Sequence, residues 1–94
     1  MNPPAITAPA ELCSSTARAW KERVARDITP QATETSVDLS KTRFIDSSGL
    51  GALLSLHKML RTQGGILKIL NPSAAVTQLI ELTRLHRVFE IVHA

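Results

Sequence analysis

Aromatic residues make up only 3% of this chain, one Trp and two Phe with no Tyr. So few rings leave no surface on which bases could stack in succession, which argues against a reader of single-stranded nucleic acid. The core must instead come from Leu, Ile, Val and Ala, a composition that suits α/β layers. Cys13 is the sole cysteine, so an intrachain disulfide and a multi-cysteine metal site are both excluded. No apolar run reaches the roughly 20 residues a membrane-spanning helix needs. The first ten residues show neither a basic start nor an apolar core of the secretory kind, and the expected location is cytoplasmic. Ninety-four residues are too few to divide into two cores, so a single domain over 1–94 is expected.

Charge adds little. The net value of +3 raises the question of a nucleic-acid partner, but the basic residues are scattered along the chain and read as solvated helix faces. No direct nucleic-acid contact is expected, and Arg43, Lys58 and Arg61 are the cations most able to lie near the central motif. His57, His86 and His93 lack the spacing of a metal site, and no metal or cofactor is expected.

That motif is Arg43-Phe44-Ile45-Asp46-Ser47-Ser48-Gly49-Leu50-Gly51-Ala52-Leu53-Leu54. Before it, Thr35 to Leu39 alternates polar and apolar with the two-residue period of a strand that buries one face. After it, Leu50, Leu53, Leu54, His57 and Leu60 recur at helical spacing and predict a helix over roughly Ser48 to Thr62. Asp46, Ser47 and Ser48 can accept bonds from the orphan N–H groups of a helix start, and Gly49 has no side chain to obstruct close approach. The motif is thus a strand-to-helix turn that puts two hydroxyls at a helix N-terminus, where partial positive charge favours an anion.

Catalytic signatures are missing around these serines. A nucleophile elbow requires glycine two positions before the serine, whereas Ile45 precedes Ser47 there and Asp46 precedes Ser48. No phosphate-cradling Gly-x-x-x-x-Gly-Lys-Ser/Thr loop occurs either. The expectation is a protein without enzymatic activity.

Elsewhere the reading is coarser. Three prolines before Leu12 leave room for one short strand around Ala5 to Ala8. One of Ser14, Ser15 or Thr16 can cap a helix that buries Ala17, Trp20, Val24 and Ala25, and Thr29 to Glu34 reads as a loop around Pro30. Gly64 stands where a left-handed helix terminus is expected. Ile66 to Leu70 reads as an inner strand with one imperfectly covered face. Ser73 can cap a helix from Ala74 to about Leu82, with Val76, Leu79 and Ile80 inward, Leu85 can pin the following turn, and Val88 to Val92 predicts a last strand. Strands separated by crossover helices imply a mostly parallel sheet with helices packed mainly on one face, the alternative being a flavodoxin-like sheet covered on both.

The run Val-Asp-Leu-Ser, then Phe-Ile-Asp-Ser-Ser-Gly-Leu-Gly-Ala-Leu-Leu, then Gly-Gly-Ile-Leu-Lys-Ile-Leu-Asn-Pro-Ser resembles STAS domains, and within them the bacterial anti-sigma factor antagonists. The resemblance covers Val37 to the end of the chain and is weak before it. It implies a STAS-like α/β fold and phosphorylation of the serine directly after the aspartate, here Ser47, which leaves Ser48 mainly as a cap. Unphosphorylated, such a domain binds an anti-sigma factor that is also a serine kinase, so Asp46, Ser47, Ser48, Gly49 and Leu50 are the implied partner-binding residues, and a phosphatase would reset the switch. STAS domains usually open with two strands, so this chain looks shortened at its start, and its thinly protected first edge suggests weak homodimerisation. Two other readings keep the fold: a STAS subunit of a lipid-transport ABC assembly, and a scaffold or dimerisation module that never meets a kinase.

Overall fold

The computed structural model describes residues 5–28 and 33–93. Six strands and three α-helices follow in order: β1 (Ile6–Thr7), β2 (Glu11–Leu12), α1 (Ala17–Asp27), β3 (Glu34–Asp38), β4 (Phe44–Ile45), α2 (Ser47–Thr62), β5 (Ile66–Leu70), α3 (Ala74–Leu82), a single 3-10 turn at Leu85–Arg87, and β6 (Glu90–Val92). The main sheet has the order β1-β3-β5-β6, and every ladder is parallel. Each crossover therefore steps to the neighbouring position in one direction, as right-handed connections with helices on one face require.

Burial identifies that face. Along β3 and β5 every second residue is buried (Thr35, Val37; Leu67, Ile69), while Ser36, Asp38, Lys68 and Leu70 between them are only half-buried. Val37, Leu67 and Ile69 of this set join Trp20 and Val24 of α1, Leu53, Leu56 and Leu60 of α2, and Val76 and Ile80 of α3 in a single core. A sheet covered on both faces would bury continuous runs, so the flavodoxin-like alternative does not hold. On the open face Lys68 Nζ meets Glu34 Oε1 at 2.6 Å across two strands, and this carboxylate holds the ammonium pKa above its usual value. That pair is how a lysine is accommodated in an inner strand.

Four expectations need correction. The chain opens with two short strands rather than one: β1 lies where a strand was expected, but β2 was unforeseen and forms a separate two-stranded ladder with β4. Neither pair is a hairpin, since β1 pairs with β3 and β2 with β4. At the C-terminus only Glu90–Val92 forms a strand, because Phe89 turns inward, is 3% exposed and meets the His57 ring edge-on at 5.9 Å. Along α2 the buried stripe runs through Leu50, Leu53, Leu56 and Leu60, with Leu54 and His57 only half-buried at its margin. Finally, Glu34 belongs to β3 and not to the preceding loop, of which 29–32 lie outside the described residues and Thr33 forms a bend.

Other local readings hold with their physical reasons. Trp20 is buried and its indole N–H donates to the Thr7 carbonyl at 3.4 Å, which ties α1 to β1. Gly64 adopts φ +78°, the left-handed conformation that ends α2, and the Gly65 N–H returns to the Leu60 carbonyl at 2.6 Å. Ser73 caps α3 by accepting from the Val76 N–H at 3.2 Å.

Candidate functional site

The motif turn is held by one side chain. Asp46 is the N-cap of α2 in an extended conformation (φ −118°, ψ −170°), and its Oδ1 accepts from the Gly49 N–H at 3.1 Å. Its Oδ2 accepts from the Ser14 N–H at 3.1 Å, so the same carboxylate binds the segment leading into α1. The backbone repeats this tie, with the Asp46 N–H donating to the Leu12 carbonyl at 3.3 Å. One acidic residue thus fixes the start of α2 and the approach of a segment 32 residues earlier.

Ser47 and Ser48 are the first two residues of α2, both exposed. This corrects the expectation that Ser48 is a cap: Asp46 satisfies the helix start, and both hydroxyls remain outside the capping network. Gly49 and Leu50 differ from them. Both are buried, so they hold the turn from beneath and do not present a surface. A Cβ on Gly49 would fall on the Leu12 carbonyl oxygen and within 2.7 Å of Ile45 Cγ1, so only glycine lets β2 lie this close to α2. Leu50 joins Leu53 in the core, and the two anchor the first turn of the helix.

Two neighbours of the turn carry no sequence signal of their own. Phe44 is 51% exposed, whereas the other two aromatic residues are buried at 3% each. A strand of two residues gives no alternation from which its outward direction could be read. On the other side, α1 and α2 flank an open groove of about 550 Å³ that includes Ser48, Gly51 and Ala52 from α2 and Ala17, Arg18 and Lys21 from α1. The cations expected near the motif were Arg43, Lys58 and Arg61, but the groove is lined by those of α1.

Cys13, in the segment before α1, and His57, further along α2, both have lowered pKa values. The Cys13 thiol is lowered by hydrogen bonding with Ser15, whose hydroxyl lies 3.3 Å from Sγ, and with Thr16. None of Ser14, Ser15 and Thr16 caps α1 through its side chain; the Thr16 hydroxyl instead accepts from the Cys13 N–H and donates to the Glu11 carbonyl. His57 is lowered by burial and then by Arg61 and Lys58, and its Nδ1 is buried without a hydrogen-bond partner. Among the described residues no helix is long and apolar enough to cross a membrane.

Known proteins place this architecture. A relative at 33% identity over 61 residues is the anti-sigma-B factor antagonist of Bacillus subtilis (strain 168); the match takes in 65% of this chain and 56% of that protein. The chain thus spans little more than half the length of this curated relative. Among solved structures, the anti-sigma factor antagonist SpoIIAA in its unphosphorylated form superimposes with a TM-score of 0.79 at 22% identity, covering 94% of this chain and 76% of that one. At this identity the likeness is one of fold. The family model of the STAS domain matches residues 2–94, and the chain belongs to the STAS domain family.

Proposed function

We propose that this chain is an anti-sigma factor antagonist that works as a phosphorylation-controlled partner switch. With Ser47 free it binds an anti-sigma factor that is also an ATP-dependent serine kinase, and a sigma factor is released. Phosphorylation of Ser47 by that kinase ends the binding, and a phosphatase restores it. The chain performs no chemistry itself in this reading, and it acts in the cytoplasm.

The observation that carries the proposal is the exposed Ser47 hydroxyl on the first residue of a helix whose preceding aspartate is locked by two N–H donors. The name of the Bacillus relative supports it. A phosphate brings about −1.5 to −2 charges, and the start of a helix tolerates them. A partner packed over the turn does not, because it must desolvate that charge or let go. Affinity can therefore collapse with no change of fold.

The test is to incubate the protein with ATP and each purified ATP-binding anti-sigma factor of its source organism, then to measure intact mass and map the modified peptide. The expected product carries one phosphoryl group on Ser47, and Ser47→Ala carries none. Phosphate on Ser48 with Ser47 free would refute the assignment. Ser47→Ala should bind the partner persistently and Ser47→Asp poorly; equal affinities would rule out the charge mechanism.

A further inference from the structure

The groove between α1 and α2 begins at Ser48, one residue after the proposed acceptor. Its floor is Ala17, Gly51 and Ala52, and a Cβ placed on Gly51 would meet nothing within 4 Å, so a main chain can lie close against it. Arg18 and Lys21 stand along one wall, and no carboxylate lines it. Arg18 has only a long, exposed contact with Glu22 at 3.4 Å, one helical turn away, of the kind that contributes little in solvent. Lys21 forms no ion pair among the described residues. A shallow channel lined by small residues, with one unpaired cation and one weakly paired cation beside it, is complementary to an extended acidic peptide. Nucleic acid fits it poorly, because no aromatic side chain lines the groove to stack on a base.

We infer that the kinase partner lays an acidic segment in this groove, its carboxylates meeting Arg18 and Lys21, while its active site reaches Ser47. The inference rests on the partner-switch reading and supplies the recognition that reading lacks. It also accounts for release. A phosphate on Ser47 lies one residue from Ser48 of the groove lining, and its negative charge repels an acidic segment seated there.

The test uses the full chain and the kinase that modifies Ser47. Three proteins are compared at low and high ionic strength: wild type, Arg18→Glu/Lys21→Glu, and Arg23→Glu/Arg26→Glu. The last makes the same change in net charge on exposed positions of α1 outside the groove. The groove variant should bind the kinase at least about tenfold more weakly at low salt and lose most of its salt dependence, with KM for phosphorylation raised and kcat unchanged. The control pair should change affinity by less than about threefold. Arg18→Gln/Lys21→Gln should fall between wild type and the reversal, which keeps the test valid if the reversed pair folds poorly. Equal weakening of groove and control variants, or no weakening of either, overturns the inference. If wild type is never modified at Ser47, the functional reading fails and the inference with it, whereas modification at Ser47 with an unaffected groove variant overturns the inference alone.

Discussion

Two helices of this domain begin with a side chain that accepts from the third helical N–H: Asp46 from Gly49 at 3.1 Å and Ser73 from Val76 at 3.2 Å. The two caps bond the same helical position, one through a carboxylate and one through a hydroxyl, but the residues around them differ. After Ser73 come Ala74 and Ala75, exposed and without a polar group, whereas after Asp46 come Ser47 and Ser48, exposed and free of capping duty. Asp46 has a second oxygen engaged with Ser14, and β2 presses against Gly49 beneath it. Capping is therefore ordinary helix physics, and the cap does not make the start of α2 a site. What distinguishes it is support from a distant segment under two exposed hydroxyls that form no hydrogen bond among the described residues.

The firmest way to break this contrast is to attack the support. Leu53 is fully buried under the turn, so Leu53→Ala should cost about 2–5 kcal/mol of the roughly 5–15 that stabilise a small domain. Leu79→Ala, at the half-buried margin of α3, should cost distinctly less in the same urea titration. If the two were equal, the start of α2 would be no better anchored than α3.

Glycine substitutions probe the close approach directly. Gly49→Ala should destabilise by about 1–3 kcal/mol, because the new methyl meets main chain that cannot rotate away. Gly51→Ala, two residues on and facing open space, should stabilise by about 0.4–1 kcal/mol through the unfolded chain. Opposite signs in thermal melts confirm that β2 and α2 are in contact at Gly49; matching signs would deny it.

The caps themselves should differ less. Ser73→Ala removes one cap bond and should cost about 1 kcal/mol. Asp46→Ala removes that bond and the one to Ser14, so it should exceed Ser73→Ala by about 0.5–1.5 kcal/mol. Asp46→Asn can accept through only one atom and should fall between them. If all three cost the same, the Ser14 tie contributes nothing.

The smallest effect concerns pH. Burial, Arg61 and Lys58 hold His57 below the usual imidazole pKa of about 6.5, so the folded state favours the neutral ring. As pH falls through about 6.5 the unfolded chain takes up a proton that the folded chain refuses, and stability declines. Above that pH the contribution is fully present. His57→Phe should remove this part of the pH dependence in urea titrations between about pH 5 and 7.5, and an unchanged slope would show that His57 does not cause it.

Much of the architecture was legible because the signals are local. The period of Thr35 to Leu39, the stop at Gly64 and the cap at Ser73 each depend on residues within one or two turns, and each stands where the sequence implied. The β2–β4 ladder was not legible, since two-residue strands have no period to read and their partner lies more than thirty positions away. The same limit applied to the last strand. Val88 and Phe89 alternate as well as Glu90 to Val92 do, but Phe89 is drawn into the core against His57.

At the site the division is similar. The order Asp-Ser-Ser-Gly after a strand and before a leucine stripe determined by itself that a helix starts there with hydroxyls on its first turn, because capping is a matter of three residues and their backbone. Which residue spends its side chain on the cap was decided by tertiary structure. Asp46 alone has two oxygens to divide between its own helix and Ser14, and once it does so both serines are left free. Tertiary packing also decided that Gly49 and Leu50 lie beneath the surface and that Arg18 and Lys21 stand beside Ser48. Such neighbours come from helix α1 packing against α2, and no spacing within either helix specifies which faces will meet.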